Sequence, residues 1–107
     1  MKKITLTCAH AVVKYLIAQK ILINGKKEPL FPGVFGIFGH GNVACLGQAL
    51  EENQNELPTY RGHHEQNMAL TGIGYARAKR RQQIFVATSS VGPGATNMVT
   101  AAAVAMS

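Results

Sequence analysis

Aspartate does not occur in this chain, and its five acidic residues are all glutamates. A catalytic triad or a metal site built on aspartate is therefore excluded. Cysteine is scarce as well. Cys8 and Cys45 stand too far apart for a zinc-binding spacing, and two thiols in 107 residues make no disulfide framework. They are expected to stay reduced, as small apolar residues in the core of a cytoplasmic protein. No apolar run approaches the roughly 20 residues of a membrane span. The apolar stretch behind Met1-Lys2-Lys3-Ile4 is broken by His10 and Lys14 and shows no cleavage signal, so neither a membrane partner nor a secretory leader is expected. Internal repeats and low-complexity tracts are also lacking.

What is present is a composition suited to folding. Hydrophobic residues make up 47% and charged residues 15%, which excludes a disordered chain, and eleven glycines suit an α/β domain with tight turns. A chain of this length forms one domain at most, with a modest core. The net charge of +6 comes mainly from separated groups, Lys2-Lys3, Lys26-Lys27 and Lys79-Arg80-Arg81, without interleaved aromatics. Such charges read as solvated ends of secondary elements, and nucleic acid is not an expected partner; the alternative reading of the same charge, with Lys79, Arg80 and Arg81 at its centre, is a small basic nucleic-acid-binding module.

Helical spacing of Val12, Val13, Leu16, Ile17 and Ile21 predicts a helix over about 8–22, capped by Thr7 and ended by Asn24-Gly25. Residues 28–33 read as a loop, and Val34-Phe35-Gly36-Ile37-Phe38 as a buried parallel strand. Asn42 can cap a second helix whose inner face is Val43, Leu46, Gly47 and Leu50. A weak strand is expected over Leu57–Arg61, where proline fits only near the start. A long helix follows over about 65–80, then a strand at Gln83–Thr88 and a last helix from Ala95. This alternation predicts an α/β fold with a truncated, doubly wound parallel sheet, because the last element shows no stop signal.

Three places bear chemistry. Glu65 opens a helix whose same face carries Ala69, Gly72, Ile73 and Ala76. Once such a face packs, the carboxyl is poorly solvated and is placed to hold or share a proton, although a first-turn acid also serves the helix dipole alone. His63 and His64, beside Arg61 and Gln66, are candidates for hydrogen bonding to a substrate; adjacent histidines diverge too much to ligate one metal, and no metal site is expected. Gly92-Pro93-Gly94 follows a strand and opens a helix, the place where open α/β sheets take ligands. The segment has neither the lysine of a phosphate-binding loop nor the third glycine of a dinucleotide fingerprint, because Asn97 stands at that position. Gly39-His40-Gly41-Asn42, at another strand's end, adds His40 and Gly41 to the substrate-pocket candidates.

In order along the chain, Arg61-Gly62-His63-His64-Glu65-Gln66-Asn67-Met68-Ala69, then Gly74-Tyr75-Ala76-Arg77-Ala78, then Gly92-Pro93-Gly94-Ala95-Thr96-Asn97, resemble the pyrimidine-binding domain of thiamine-diphosphate-dependent, acetolactate-synthase-like enzymes. The resemblance implies that Glu65 is the catalytic residue that trades a proton with the aminopyrimidine of thiamine diphosphate, so that the thiazolium carbon loses its own. It implies that Gly92, Pro93, Gly94 and Asn97 bind the cofactor together with Glu65. The run Phe31-Pro32-Gly33-Val34-Phe35-Gly36-Ile37-Phe38-Gly39-His40-Gly41-Asn42-Val43 resembles hydrolases of that family, which open a ring dione, more than its carboligases, which usually have proline in this loop. The family holds magnesium and the diphosphate in a separate carboxyl-terminal domain with a Gly-Asp-Gly motif, commonly in a homodimer or tetramer. This chain, without aspartate, is then expected to be one partial domain over 1–107. It would hold only the pyrimidine end of the cofactor, serve a small-molecule substrate, and be inactive alone.

Overall fold

The computed structural model describes residues 2–107. Its elements run in the order α1 (Cys8–Ala18), β1 (Lys20–Ile23), β2 (Lys26–Pro29), β3 (Val34–Gly36), α2 (Leu46–Glu52), β4 (Thr59–Arg61), α3 (Glu65–Ala78), β5 (Val86–Thr88) and α4 (Pro93–Met106). Three of the strands make a parallel sheet in the order β4-β3-β5, with Val34 opposite both Thr59 and Val86. The α/β class is as expected.

Side-chain alternation along the short central strand assigns the two faces of the sheet. Val34 belongs to a core with Val13 of α1, Ala49 and Leu50 of α2, and Leu57, and Val86 packs against the same cluster. Phe35 points the other way. Its ring stacks on Phe85 at 4.5 Å between centroids, and Phe85 meets the edge of Tyr75 from α3 at 4.8 Å. Helices α1 and α2 therefore cover one face of the sheet, and α3, packed along α4, covers the other. The chain leaves β3 for β4 through α2, then crosses to β5 through α3. Connections thus run to opposite sides of β3.

Several boundaries differ from expectation. Thr7 does cap α1, accepting from the His10 N–H at 3.1 Å, but the helix ends at Ala18 rather than near 22. Ile21 lies instead in an antiparallel hairpin, because Asn24 (φ 52°) and Gly25 (φ 81°) adopt the left-handed conformations of a two-residue hairpin turn. Glu28 and Pro29, expected in a loop, belong to its second strand. Asn42 does not cap α2: His40–Val43 form a 3-10 turn, Cys45 is the residue before α2, and Val43 is 56% exposed. Strands β3 and β5 are shorter than expected, α3 ends at Ala78, and α4 begins at Pro93, which suits the first helical turn because proline's fixed φ is already helical there. Cys8 and Cys45 are both exposed, contrary to the core position expected for them, because each sits at a helix start on the rim of the molecule.

One polar tie joins the covering helices. His10 Nε2 lies 2.5 Å from Glu52 Oε2, and its Nδ1 lies 2.8 Å from the Thr7 hydroxyl. Lys14 adds a bond from α1 to Asn53 at 2.9 Å. The hydrogen bond from His10, then that from Gln48, holds the Glu52 carboxyl below the usual glutamate range. A carboxyl lowered in the folded state stabilises above its unfolded pKa and loses that effect as pH falls through the folded value. Glu52→Gln should therefore lower the urea midpoint at pH 7, and the gap from the parent should close as the pH is taken below the ordinary glutamate range. A gap that is constant with pH would show that charge plays no part. Leu50→Ala, at a side chain 1% exposed in the core, should cost about 2–5 kcal/mol by urea titration.

Candidate functional site

In a sheet ordered β4-β3-β5, the crevice between the carboxyl ends of β3 and β5 is the switch point where open α/β sheets receive ligands. Four residues from four segments meet there. Gly39 follows β3, Glu65 begins α3, Ser90 follows β5, and Gly94 lies in the first turn of α4. A Cβ placed on Gly94 would lie 2.5 Å from Glu65 Oε2 and 2.5 Å from Ser90 Oγ, and one on Gly39 would lie 3.3 Å from the Ser90 Cβ. Gly94 is itself buried. The carboxyl oxygen and the hydroxyl oxygen occupy the room that a side chain would take, so the cradle around Gly94 is filled by them.

The local sequence explains why Glu65 arrives there. His64 is extended (φ −153°) and caps α3, its Nδ1 accepting from the Asn67 N–H at 3.4 Å, so the helix starts directly after β4 and its first residue faces the crevice. The Phe85–Tyr75 contact holds the far end of α3 against β5. Ala69, Gly72, Ile73 and Ala76, the face expected to continue from Glu65, line an apolar groove of about 320 Å³ with Met98 and Ala101 of α4. Small residues on both helices let them run close together, and Glu65 stands half-buried at the head of that groove. Among the described residues no cation forms an ion pair with it.

The other expected residues are placed as follows. Gly92 precedes α4 with φ 69°, a left-handed value that favours glycine, and turns the chain so that Pro93 opens the helix. Asn97 is exposed further along α4. His63 and His64 are exposed and line a separate cleft of about 280 Å³ with Arg61, Asn67, Phe35 and Met68. His40 and Gly41 are exposed in the 3-10 turn and do not line that cleft. The structure thus brings together Glu65 and Gly94, and separately His63 and His64, without merging the two groups. Ser90 was not singled out from the sequence. A serine pair after a strand carries no signal of its own, and only the packing of Gly94 shows which hydroxyl faces the carboxyl.

Residues 28–107 match the family described as thiamine pyrophosphate enzyme, N-terminal TPP binding domain. The chain belongs to this family. Among curated relatives it is 55% identical over 105 residues to a 3D-(3,5/4)-trihydroxycyclohexane-1,2-dione hydrolase of Geobacillus thermodenitrificans (strain NG80-2). It is 50% identical over the same length to proteins of that name from Clostridium tetani (strain Massachusetts / E88) and Bacillus thuringiensis (strain Al Hakam). Each match covers 98% of this chain and 16% of the relative. The chain therefore spans about a sixth of the length of these proteins. No helix among the described residues is long and apolar enough to cross a membrane.

A nitrogen heterocycle needs a hydrogen-bonding group at its edge, and the half-buried Glu65 carboxyl at the crevice fits that need. Gly94→Ala should leave the far-ultraviolet circular dichroism spectrum unchanged and cost on the order of 1 kcal/mol, because the added methyl meets the ends of the Glu65 and Ser90 side chains rather than backbone. Amide chemical-shift changes should be confined to the neighbourhood of Ser90, Gly94 and Glu65. Loss of dispersion across the whole spectrum would show that the cradle holds up the fold instead.

Proposed function

We propose that this chain is the pyrimidine-binding part of a thiamine-diphosphate-dependent hydrolase that opens the ring of a trihydroxycyclohexane-1,2-dione by carbon–carbon cleavage in inositol breakdown. The observation that carries this reading is the Glu65 carboxyl at the Gly94 cradle, in the crevice between β3 and β5. The names of relatives at 50–55% identity supply the substrate class and favour the hydrolase over an acetolactate-synthase-like carboligase.

Thiamine diphosphate, when bound, supplies an acidic thiazolium C–H and a place to store the electron pair released by carbon–carbon cleavage. This chain's residues act on the pyrimidine end. Glu65 holds or gives a proton at the ring nitrogen that faces it, within a half-buried site where a carboxyl–heterocycle hydrogen bond is stronger than in open water. Gly94 lets the α4 backbone approach the Glu65 carboxyl, and Gly92 and Pro93 set the start of α4 on which it lies. Asn97, His40 and Gly41 remain candidates for contacts with the rest of the cofactor or the substrate, and the cleft around His63 and His64 offers donors for substrate hydroxyls. The diphosphate and its magnesium are assigned to another domain with an acidic metal motif, in a dimer or tetramer of cytoplasmic enzyme, since no aspartate occurs in this chain.

The test joins this chain, in place of the equivalent segment, to the remainder of the Geobacillus thermodenitrificans relative. The chimera should turn over the trihydroxycyclohexanedione, and the 107-residue chain alone should not. Glu65→Gln in the chimera should lower kcat by about 10²–10⁴ with the fold retained, the size of a positioned acid–base contribution. An unchanged kcat would remove Glu65 from the mechanism.

A further inference from the structure

The start of α3 borders a second cavity besides the crevice. Glu65 opens the helix at the crevice, and the residue before it, His64, lines the separate cleft of about 280 Å³. Arg61 lines that cleft from the end of β4, and His63 and Asn67 line it from either side of the helix start. Phe35 and the buried Met68 supply an apolar wall. The polar lining is rich in donors. His64 Nδ1 accepts from the Asn67 backbone N–H at 3.4 Å, so in the neutral ring the proton sits on Nε2 and the other edge donates. The same bond uses up the Asn67 backbone donor, which leaves side chains to serve the cleft. Arg61 forms no ion pair among the described residues, and none of the five glutamates lines the cleft. A guanidinium, two imidazoles and an amide thus share one cavity with no carboxylate to neutralise them.

We infer that this cleft takes the carboxylate of a small polyhydroxy acid, with Arg61 as its main anchor. The inference rests on the proposed ring opening. Hydrolysis of the bond between two adjacent carbonyls adds water across it: one carbon takes the hydroxyl and becomes a carboxyl group, and the other takes the hydrogen and becomes an aldehyde. A neutral dione therefore leaves as an anion, with a charge that the substrate lacks. A planar guanidinium matches a carboxylate through two parallel hydrogen bonds, and such bonds are stronger beside an apolar wall than in open water. The volume agrees, since it lies near the lower end of the roughly 300–1,000 Å³ of ligand pockets and suits a small acid better than a nucleotide. The cleft then tells product from substrate by charge, a distinction that donors for hydroxyl groups alone would not make.

Titration of the isotope-labelled chain, followed by amide chemical shifts, tests this with gluconate, a polyhydroxy carboxylate, against sorbitol, its uncharged counterpart, and inorganic phosphate. Gluconate should shift the amides of Gly62, His63, His64 and Asn67 to saturation, and should bind at least about tenfold more tightly than sorbitol, the size of a hydrogen bond between charged groups. Arg61→Gln should weaken gluconate about tenfold, whereas Lys27→Gln, the same loss of charge outside the cleft, should stay within about twofold of the parent. His63→Ala should weaken gluconate by at least about threefold, and it carries the test if Arg61→Gln loses spectral dispersion. No saturable shift with gluconate, equal binding of sorbitol, tighter binding of phosphate, or equal effects of the two charge variants would each overturn the carboxylate site. The cofactor takes no part in these titrations. Their failure therefore leaves the Glu65 reading standing, and that reading falls only if Glu65→Gln in the chimera keeps full turnover.

Discussion

The site depends on a single steric constraint: Gly94 has no side chain. Two helices that start at neighbouring strand ends would ordinarily be kept apart by their first-turn side chains. Here α4 brings its backbone to the carboxyl at the start of α3, and the carboxyl and the Ser90 hydroxyl share the room that a Cβ would take. The groove behind, lined by alanine and glycine from α3 and alanine from α4, continues the same close approach along both helices. Close packing and chemistry are therefore one arrangement, since the small residues that let the helices meet are those that bring Glu65 out of bulk water.

The sheet supplies the second requirement. The parallel sheet among the described residues has three strands, and their order places connections on opposite sides of β3, so a crevice opens beside it. Val34 and Phe35, adjacent on β3, anchor the two faces, one into the core beneath α1 and α2 and the other into the aromatic group beneath α3. The face with α1 and α2 is closed by an aliphatic core and tied at its rim by His10 and Glu52. The other face carries α3 and α4, with an apolar groove between them.

Glu65, its helix face and the Gly92-Pro93-Gly94 turn were legible because each is a local pattern: helical spacing of small residues, and glycines between a strand and a helix. The hairpin at Lys20–Pro29 was missed although Asn24-Gly25 is a strong hairpin signal, because Ile21 also fits the helical spacing of α1 and the two patterns compete for the same residues. Asn42 failed as a cap because positive φ at His40 starts a 3-10 turn first and delays α2 to Leu46. The cysteines were misplaced for a similar reason: residue type favours burial, but both positions fall at helix starts on the surface.

By itself the sequence determined the alternation of elements and the family, since these follow from the order of residues and from motifs that are contiguous along the chain. The meeting of Glu65, Ser90, Gly94 and Gly39 was decided only in three dimensions. Those residues come from four separate segments, and their approach depends on strand order and on how closely α3 and α4 pack, which no spacing along the chain encodes.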